Sequence, residues 1–387
     1  MRMLAISILT MFMMFWGCKT DKSPTSVIED PDPNGEEELL KVFKETEGPG
    51  IVKIMSRNVY IGTDVDIVLN APTVETIPVL VAGAFDLLQK TDFPSRAEAL
   101  VTEIEKTLPH LIGLQEMSKF YRQSPGDIAV GGEIPATNKI LDFFEVLMDA
   151  LQSRGLEYEI VAEIKNADVE LPMFVGLDGD TPLLDDVRIE DHDVILARSD
   201  VVISNPVAFR YDSMFVVEEA GIAIPRGYVA VTAEIGPTSV VFANTHIEAV
   251  PDIDLRLSQV GQLLDAFKNE SLPVILVGDF NSRATTGESY NLVLSEGYTD
   301  IWIDNPLTYN VNGYTYGHES DLRNDSPDLR SRIDFIFAGP QGDPVIGEGF
   351  VLGDEKRDKT ANGLWPSDHA GVVSKLTYTV PAKLASN

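Results

Sequence analysis

Apolar and polar residues follow one another along this chain in short segments typical of an α/β protein. Apolar runs that stop at polar residues predict buried strands at 51–59, 110–116, 194–197, 227–235, 238–245, 274–281, 332–337 and 372–380. Apolar residues at helical spacing predict helices at 95–108, 138–154 and 254–267. Because helices and strands alternate along the sequence, the pattern indicates an α/β fold.

The apolar run that begins at Val274 ends in Gly-Asp-Phe-Asn. In an extended chain, residues two apart point to the same side, so Asp279 and Asn281 can face one point while Phe280 returns to the core. An acid and an amide in this arrangement suit a phosphate or a metal-bound water. An Asx-rich turn after the strand is the alternative at this point.

Other predicted strand ends and the loops beside them carry polar side chains of the same kinds. They are Asn58, Glu116, His246, Asp334, Asp368 and His369. Each residue alone is weak support for a site, and a solvated strand end explains any one of them. The Gly-, Pro- and Asp-rich segments 120–137 and 164–193 are predicted to be loop insertions that shape access to such a site.

Composition and charge narrow the function. The 387 residues are 44% hydrophobic and can bury a large core, and their formal net charge is −31 at pH 7. This charge argues against a broad electrostatic grip on nucleic acid, which normally comes from clustered Lys and Arg. An anionic substrate must therefore meet local cations, and metal ions held by acidic side chains are the obvious ones.

The N-terminal residues have the composition of a targeting segment. An apolar run at 3–16 follows Arg2, precedes Gly17 and Cys18, and is too short to span a bilayer. Residues 1–18 are therefore predicted to be a secretory signal. Residues 19–50 are rich in Pro, Asp, Glu, Ser and Gly and predict a flexible tether, so that the folded domain is expected at 51–387.

Cys18 is the single cysteine of the chain, so no intramolecular disulfide is possible. Its place behind a small residue and an apolar run resembles the lipid-attachment site of bacterial lipoproteins. That resemblance implies cleavage before Cys18, its acylation, and a membrane anchor in the cell envelope. A plain signal peptide, followed by secretion, is the alternative.

The order Asn, Gln-Glu, Thr-His, Gly-Asp-Phe-Asn, Arg-Ile-Asp and Ser-Asp-His closely resembles the endonuclease/exonuclease/phosphatase superfamily, over about 51–380. The resemblance implies a four-layered α/β sandwich with two packed mixed β-sheets flanked by helices, and a site at their upper edge. It also implies that Asn58 and Glu116 help to hold a divalent metal, usually Mg²⁺ with Mn²⁺ as a substitute, and that Asp368 stands close to that metal.

The same resemblance assigns the catalytic groups. It implies that Asp279 and Asn281 position or activate the attacking water, that His369 is paired with Asp334, and that His246 contacts the scissile phosphate. Phosphoester hydrolysis needs such a nucleophile and a counter-charge at phosphorus. The motif spacing leaves open whether Asp279 or His369 takes the proton of the water, and we favour Asp279.

These features together predict an exported, metal-dependent phosphoesterase that hydrolyses phosphodiester or phosphomonoester bonds. The expected substrate is a phosphoester: a nucleic acid, a phospholipid headgroup or a small phosphoester. We expect a monomer whose membrane contact is the N-terminal lipid anchor. A broad-specificity secreted nuclease and a catalytically silent binding module on the same fold are the alternatives.

Overall fold

The computed structural model of the chain describes residues 33–218, 221–303, 305–309 and 312–380. The α-helices are α1 (Pro33–Glu45), α2 (Asp66–Leu69), α3 (Ile77–Lys90), α4 (Phe93–Thr107), α5 (Phe143–Ser153), α6 (Ile253–Phe267) and α7 (Glu288–Ser295). The β-strands are β1 (Ile51–Asn58), β2 (Leu111–Gln115), β3 (Lys119–Gln123), β4 (Lys139–Asp142), β5 (Tyr158–Asp178), β6 (Thr181–Arg198), β7 (Val202–Arg210), β8 (Phe215–Val217), β9 (Ile222–Ile224), β10 (Gly227–Ile235), β11 (Thr238–His246), β12 (Val274–Asp279), β13 (Thr299–Asp300), β14 (Asp334–Ala338), β15 (Val345–Leu352) and β16 (Gly371–Thr377).

The strands form two large mixed sheets. The first has the order β15-β16-β1-β2-β6-β3-β4, with β5 paired to β6. The second has the order β13-β14-β12-β11-β10-β7, and β8 and β9 form a separate ribbon. The pairs β1/β2 and β11/β12 are parallel, whereas β16 and β14 run antiparallel to their neighbours β1 and β12. The carboxyl ends of the parallel strands therefore meet the starts of β14 and β16 at one edge.

Each sheet is apolar on both faces. The inner faces pack on each other through residues such as Ile54 and Leu111 of the first sheet and Phe242 of the second. The outer face of the first sheet is covered by α1, α4 and α5, and that of the second by α6 and α7. The predicted four-layered α/β sandwich is confirmed.

Helix α1 corrects the prediction of a flexible tether up to residue 50. Leu40 and Phe43 are buried, and the ring of Phe43 meets that of Phe350 edge-on at 5.5 Å, while Leu39 and Val42 face outward. The apolar residues of this segment follow helical spacing, so one face packs against the domain even though the composition is acidic. Folded structure therefore starts before Ile51. The predictions for 1–18 and Cys18, and for the tether at 19–32, lie outside the described residues.

The prediction that 164–193 is a loop insertion was wrong. Strands β5 and β6, of 21 and 18 residues, form one long hairpin that spans this segment, with β-bulges between Lys165 and Ala167 and between Phe174 and Gly176. Cross-strand ion pairs explain the misjudgement, because Arg188 contacts Asp168 at 2.6 Å and Lys165 contacts Glu190 at 3.2 Å. Its acidic residues are thus paired strand residues rather than a sign of irregular chain. Helix α3, which the sequence pattern did not predict, packs on this hairpin through contacts such as Val81 with Met173.

Candidate active site

The carboxylate of Asp279 lies at the centre of the polar edge between the two sheets. It ends β12, where its register partners are His246 on β11 and Asp334 on β14. The side chain is 1% exposed. Its Oδ1 accepts a hydrogen bond from the Asn281 backbone N–H at 2.8 Å, and its Oδ2 accepts one from Asn58 Nδ2 at 3.3 Å. These contacts fix the carboxylate in one orientation.

His369 and Asp334 form the predicted pair. Nδ1 of His369 lies 2.9 Å from Asp334 Oδ2, and both side chains are buried. Nε2 of the same imidazole lies 3.7 Å from Asp279 Oδ2. The ring of Tyr316 packs on the imidazole with its centroid 4.8 Å away. The pair therefore aims the Nε2 atom at the central carboxylate.

His246 approaches Asp279 from the other side. Its Nε2 lies 3.6 Å from Asp279 Oδ2 and 3.2 Å from Asn281 Nδ2. Its Nδ1 lies 3.2 Å from Nη1 of Arg226. Because a guanidinium can only donate, Nδ1 accepts from Arg226. The Asn281 amide nitrogen beside Nε2 donates to the Ile247 carbonyl at 2.9 Å, so the proton of the neutral ring is assigned to Nε2, facing Asp279.

Arg226 is a site residue that sequence reasoning underrated, since an arginine before a strand is more often a surface ion pair. Here it is largely buried, with Glu248 Oε2 at 3.3 Å and Asp191 Oδ2 at 3.7 Å. Asp193 Oδ1 lies 3.9 Å from Nδ1 of His246. The sequence signal was weak, because Arg226 and the two aspartates lie within antiparallel strands or before one, and not at the end of a parallel strand.

Asn58 and Glu116 lie together at the ends of β1 and β2. Asn58 Nδ2 donates to Glu116 Oε1 at 2.9 Å, and the Ile61 backbone N–H donates to Glu116 Oε2 at 2.5 Å. The amide oxygen of Asn58 accepts from the Tyr60 N–H at 2.9 Å, so Asn58 turns its nitrogen, and not its oxygen, toward the carboxylates. Asn58 therefore orients Glu116 and Asp279.

Two of these residues have left-handed backbone conformations. φ is +63° at Glu116 and +45° at Asn281. Non-glycine residues rarely adopt such values, and strain of this kind concentrates at functional sites. The surrounding hydrogen bonds hold both residues in place against this cost.

Asp368 completes the cluster from the loop before β16. Ser367 Oγ joins this loop to β1, since it donates to the Asn58 carbonyl at 2.9 Å and lies 3.3 Å from Asp368 Oδ1. Burial raises the pKa of Asp368 to about 6, the charge of Glu116 adds to the rise, and His369 opposes it. The two carboxylates therefore repel each other.

The same electrostatics separate the two histidines. Burial, and then the charge of Asp334, raise the pKa of Asp279 to about 7. Burial opposes the charged form of His369, but Asp334, Asp368 and Asp279 outweigh it and raise the pKa of that imidazole to about 10. Burial keeps the pKa of His246 well below its ordinary value. One imidazole is thus held charged and the other neutral.

The donor set fits a hard divalent cation. Carboxylate oxygens are the ligands that Mg²⁺ prefers. The raised pKa values of Asp279 and Asp368 reflect crowded negative charge, which a cation would compensate. Atoms of Asp279, Asp334 and His369 also lie within 4.8 Å of one another, a spacing compatible with a metal. That spacing equally follows from the His369–Asp334 hydrogen bond, so it does not distinguish a ligand set from a proton-holding pair.

Two further residues that could bind a phosphate or a metal lie outside this cluster. Arg198 pairs with Asp200 at 2.6 Å and with Glu47 at 3.2 Å, beyond the opposite end of β1, and is a surface ion pair. His318 stacks on Trp365 with centroids 4.1 Å apart and packs within the fold. The predicted site residues in the described chain are thus brought together, and these two are not among them.

Comparisons with known proteins agree with this architecture. No curated protein sequence matches the chain. Among solved structures it is similar to an endonuclease/exonuclease/phosphatase family protein from Bacteroides thetaiotaomicron, with 18% identity, 86% of this chain and 100% of that chain covered, and a TM-score of 0.54. A mannosyl-6-phosphatase from Bacteroides thetaiotaomicron VPI-5482 has 17% identity, 84% and 100% coverage and a TM-score of 0.52. A family protein from Leptotrichia buccalis has 17% identity, the same coverages and a TM-score of 0.51.

These identities are low, so the structural matches show the shared fold alone. The sequence profile of one family, however, matches residues 81–369, which is most of the chain. The matched segment contains every site residue described above except Asn58. The chain belongs to the endonuclease/exonuclease/phosphatase family.

Proposed function

We propose that this protein is a divalent-metal-dependent phosphoesterase that hydrolyses its substrate by attack of water. One observation carries the proposal: the buried Asp279 carboxylate lies between the His369–Asp334 pair and His246, 3.7 and 3.6 Å from their respective Nε2 atoms. A fixed base beside two donors of different charge is what phosphoester hydrolysis requires. A catalytically silent module would not need this arrangement.

Each side chain has a role that follows from its contacts. Asp279 accepts the proton of the attacking water, which the side chain of Asn281 helps to position. His369, whose Nδ1 donates to Asp334, keeps its Nε2 proton and stabilises negative charge on the phosphate. His246 donates from Nε2 to the scissile phosphate. The His369–Asp334 contact at 2.9 Å supports Asp279 over His369 as the proton acceptor in this proposal, since it assigns the imidazole of His369 the role of a donor.

Glu116 and Asp368 would hold the metal ion, with Asn58 orienting Glu116. When bound, the metal supplies a positive charge that polarises the phosphoryl group and offsets the developing negative charge. Mg²⁺, with Mn²⁺ as a substitute, is the ion we propose, because the donors are oxygens and the site contains no cluster of soft ligands among the described residues. The crowding of acidic groups in the site supports this assignment.

The net charge of −31 disfavours tight binding of a nucleic acid, so a broad nuclease is the weaker candidate. The similar mannosyl-6-phosphatase makes a sugar phosphate a reasonable test substrate.

We also propose, from the sequence alone, export of the chain and acylation at Cys18. Radiolabelled palmitate incorporation and cell fractionation test this, with Cys18→Ser as the control. A protein that stays in the membrane fraction after this change would contradict the anchor. In the part of the chain that the structure covers, no helix is long and apolar enough to cross a bilayer.

The decisive experiment is hydrolysis of duplex DNA, RNA, sphingomyelin, mannose 6-phosphate and bis-p-nitrophenyl phosphate, with Mg²⁺ and with EDTA. We expect the protein to cleave at least one of these phosphoesters in Mg²⁺ and none of them in EDTA. His369→Ala should lower the rate of that cleavage by at least about 100-fold. His318→Ala is the matched control, because it changes a buried histidine outside the reacting cluster. A panel with no metal-dependent cleavage, or equal rates for both variants, would refute the proposal.

A further inference from the structure

An apolar cavity of about 160 Å³ opens beside the candidate active site. Its walls come from α3, the loop after β1, β9 and the β5–β6 hairpin, with side chains such as Val81, Val169 and Ile224. The cavity opens to solvent at Val65, which is 37% exposed. Asp191 and Arg226 are the charged residues of its lining, and both lie on the side of His246.

The cavity and the active site share a wall. Ile61 lines the cavity, while its backbone N–H donates to Glu116 Oε2 at 2.5 Å. Arg226 also lines it, while its Nη1 lies 3.2 Å from Nδ1 of His246. A group esterified to a phosphate between His246 and Glu116 therefore lies next to the part of the cavity lining that Ile61 and Arg226 form. The cavity and the candidate active site are thus adjacent.

The chemistry of the walls selects the kind of group that binds. A sugar or a nucleobase would lose hydrogen bonds to water against Val and Ile side chains without replacing them. A hydrocarbon loses none and gains from leaving water. The volume is close to that of an engineered apolar cavity of about 150 Å³ that binds benzene, so a hydrocarbon of that size fits.

We propose that the substrate is a phosphoester with a hydrocarbon moiety, and that this moiety binds in the cavity while the phosphate meets His246 and Asp279. The inference rests on the proposed phosphoesterase function and names its substrate class. It also explains how an acidic protein binds an anionic substrate, because apolar contact supplies affinity without a surface of positive charge. The hairpin and α3 then act as the specificity element of the enzyme.

The test is a series of alkyl p-nitrophenyl phosphate diesters with methyl, butyl and hexyl groups, assayed with Mg²⁺ on the full chain. Each buried methylene contributes up to about a fourfold gain in affinity, so kcat/KM should rise at least about tenfold from methyl to hexyl. Val169→Phe, which fills the cavity, should remove this rise, so that its kcat/KM values for the methyl and hexyl diesters are equal. Val175→Phe, on the same strand but 44% exposed and outside the cavity, should keep it.

The outcomes separate the two proposals. Equal kcat/KM for methyl and hexyl in the wild-type protein would overturn the hydrocarbon site and leave the phosphoesterase intact. If no diester of this series is cleaved, the substrate panel described above decides about the proposed function, and calorimetry with methylphosphonic and hexylphosphonic acid decides about the cavity. Tighter binding of the hexyl compound, lost in Val169→Phe, would support the site, and equal binding would overturn it.

A replacement variant and a deletion of residues 1–32 complete the test of the cavity. If Val169→Phe does not fold, Leu171→Phe from the same strand replaces it, and the wild-type series needs no variant. A hexyl preference that emerges only after residues 1–32 are deleted would assign the cavity to that segment of the chain and would overturn the proposal as stated. A preference already present in the full chain supports it.

Discussion

Replacing Asp279 with asparagine should lower activity and raise stability at the same time. The ionised carboxylate is 1% exposed, and burial together with Asp334 raises its pKa to about 7, from 3.8 in the unfolded chain. The folded state therefore holds this proton more tightly, and stability falls as the pH rises from about 4 through 7. At 1.36 kcal/mol per pKa unit, the ionised group costs up to about 4 kcal/mol at pH 8.

The asparagine side chain of this Asp279→Asn variant is neutral and of the same shape as the carboxylate, so it avoids this cost. We expect the free energy of unfolding in EDTA to be higher than wild type by up to about 4 kcal/mol at pH 8, and to be similar at pH 4.5. Because the base is lost, kcat/KM should fall by at least about 100-fold. Urea unfolding at both pH values and the phosphoesterase assay measure the two effects.

Asp300→Asn provides the matched control on β13, which β14 separates from β12 in the same sheet. Asp300 is also buried, but it contacts the guanidinium of Arg332 at 2.7 Å and accepts from the Tyr290 hydroxyl at 2.7 Å, away from the reacting groups. This variant should lose stability at both pH values and keep its kcat. An Asp279→Asn protein that is less stable than wild type at pH 8, or that retains more than a tenth of the activity, would refute the reasoning.

Three more predictions follow from the packing. Phe43→Ala should lower the free energy of unfolding, measured by urea titration, by about 3 to 5 kcal/mol. Val42→Ala, at an exposed position of the same helix, should change it by less than about 0.5 kcal/mol. Equal effects of the two variants would mean that α1 does not pack on the domain. Burial lowers the pKa of His110 to about 4. As the pH drops from 7.5 to 4, the free energy of unfolding of the wild type should therefore fall by up to about 3 kcal/mol relative to that of His110→Gln. Parallel profiles of unfolding free energy against pH for the two proteins would contradict this. Gly113→Ala should reduce both thermal stability and kcat, because the added Cβ would lie 2.5 Å from Val277 and 2.8 Å from Asn244. A variant with the melting temperature of the wild type would exclude this clash.

Much of the fold and the site was predictable because it depends on local patterns. Apolar runs that stop at Asn58, Glu116, His246 and Asp279 indicate strands whose ends carry polar side chains, and the described structure has these side chains at one edge. The roles of these residues stay predictions, since position alone does not test them. The length and apolar character of these runs were enough to predict the strands, because β1, β2, β11 and β12 are buried on both faces.

What escaped prediction depends on partners that are distant in the sequence. Acidic residues made α1 and the β5–β6 hairpin resemble solvated segments, yet Phe43 packs on Phe350 and Asp168 pairs with Arg188. Arg226 was undervalued for the same reason, since its meaning comes from His246 on another strand. The composition of a segment is known from the sequence. Whether the segment is folded or solvated depends on whether its apolar and charged side chains contact residues elsewhere in the chain.

The two halves of the site lie on different sheets, so their alignment needs a specific link between the sheets. Asn244, two residues before His246 in the second sheet, donates to the carbonyls of Leu114 and Val194 in the first, both at 2.9 Å. Gln115, which precedes Glu116, donates to Asn244 Oδ1 at 2.6 Å. A sheet-to-sheet interface of aliphatic side chains alone would permit sliding, because apolar contact is non-directional. These buried amides fix the offset between the sheets, and they therefore hold Asp279 and His246 of one sheet close to Glu116 of the other, as the proposed reaction requires.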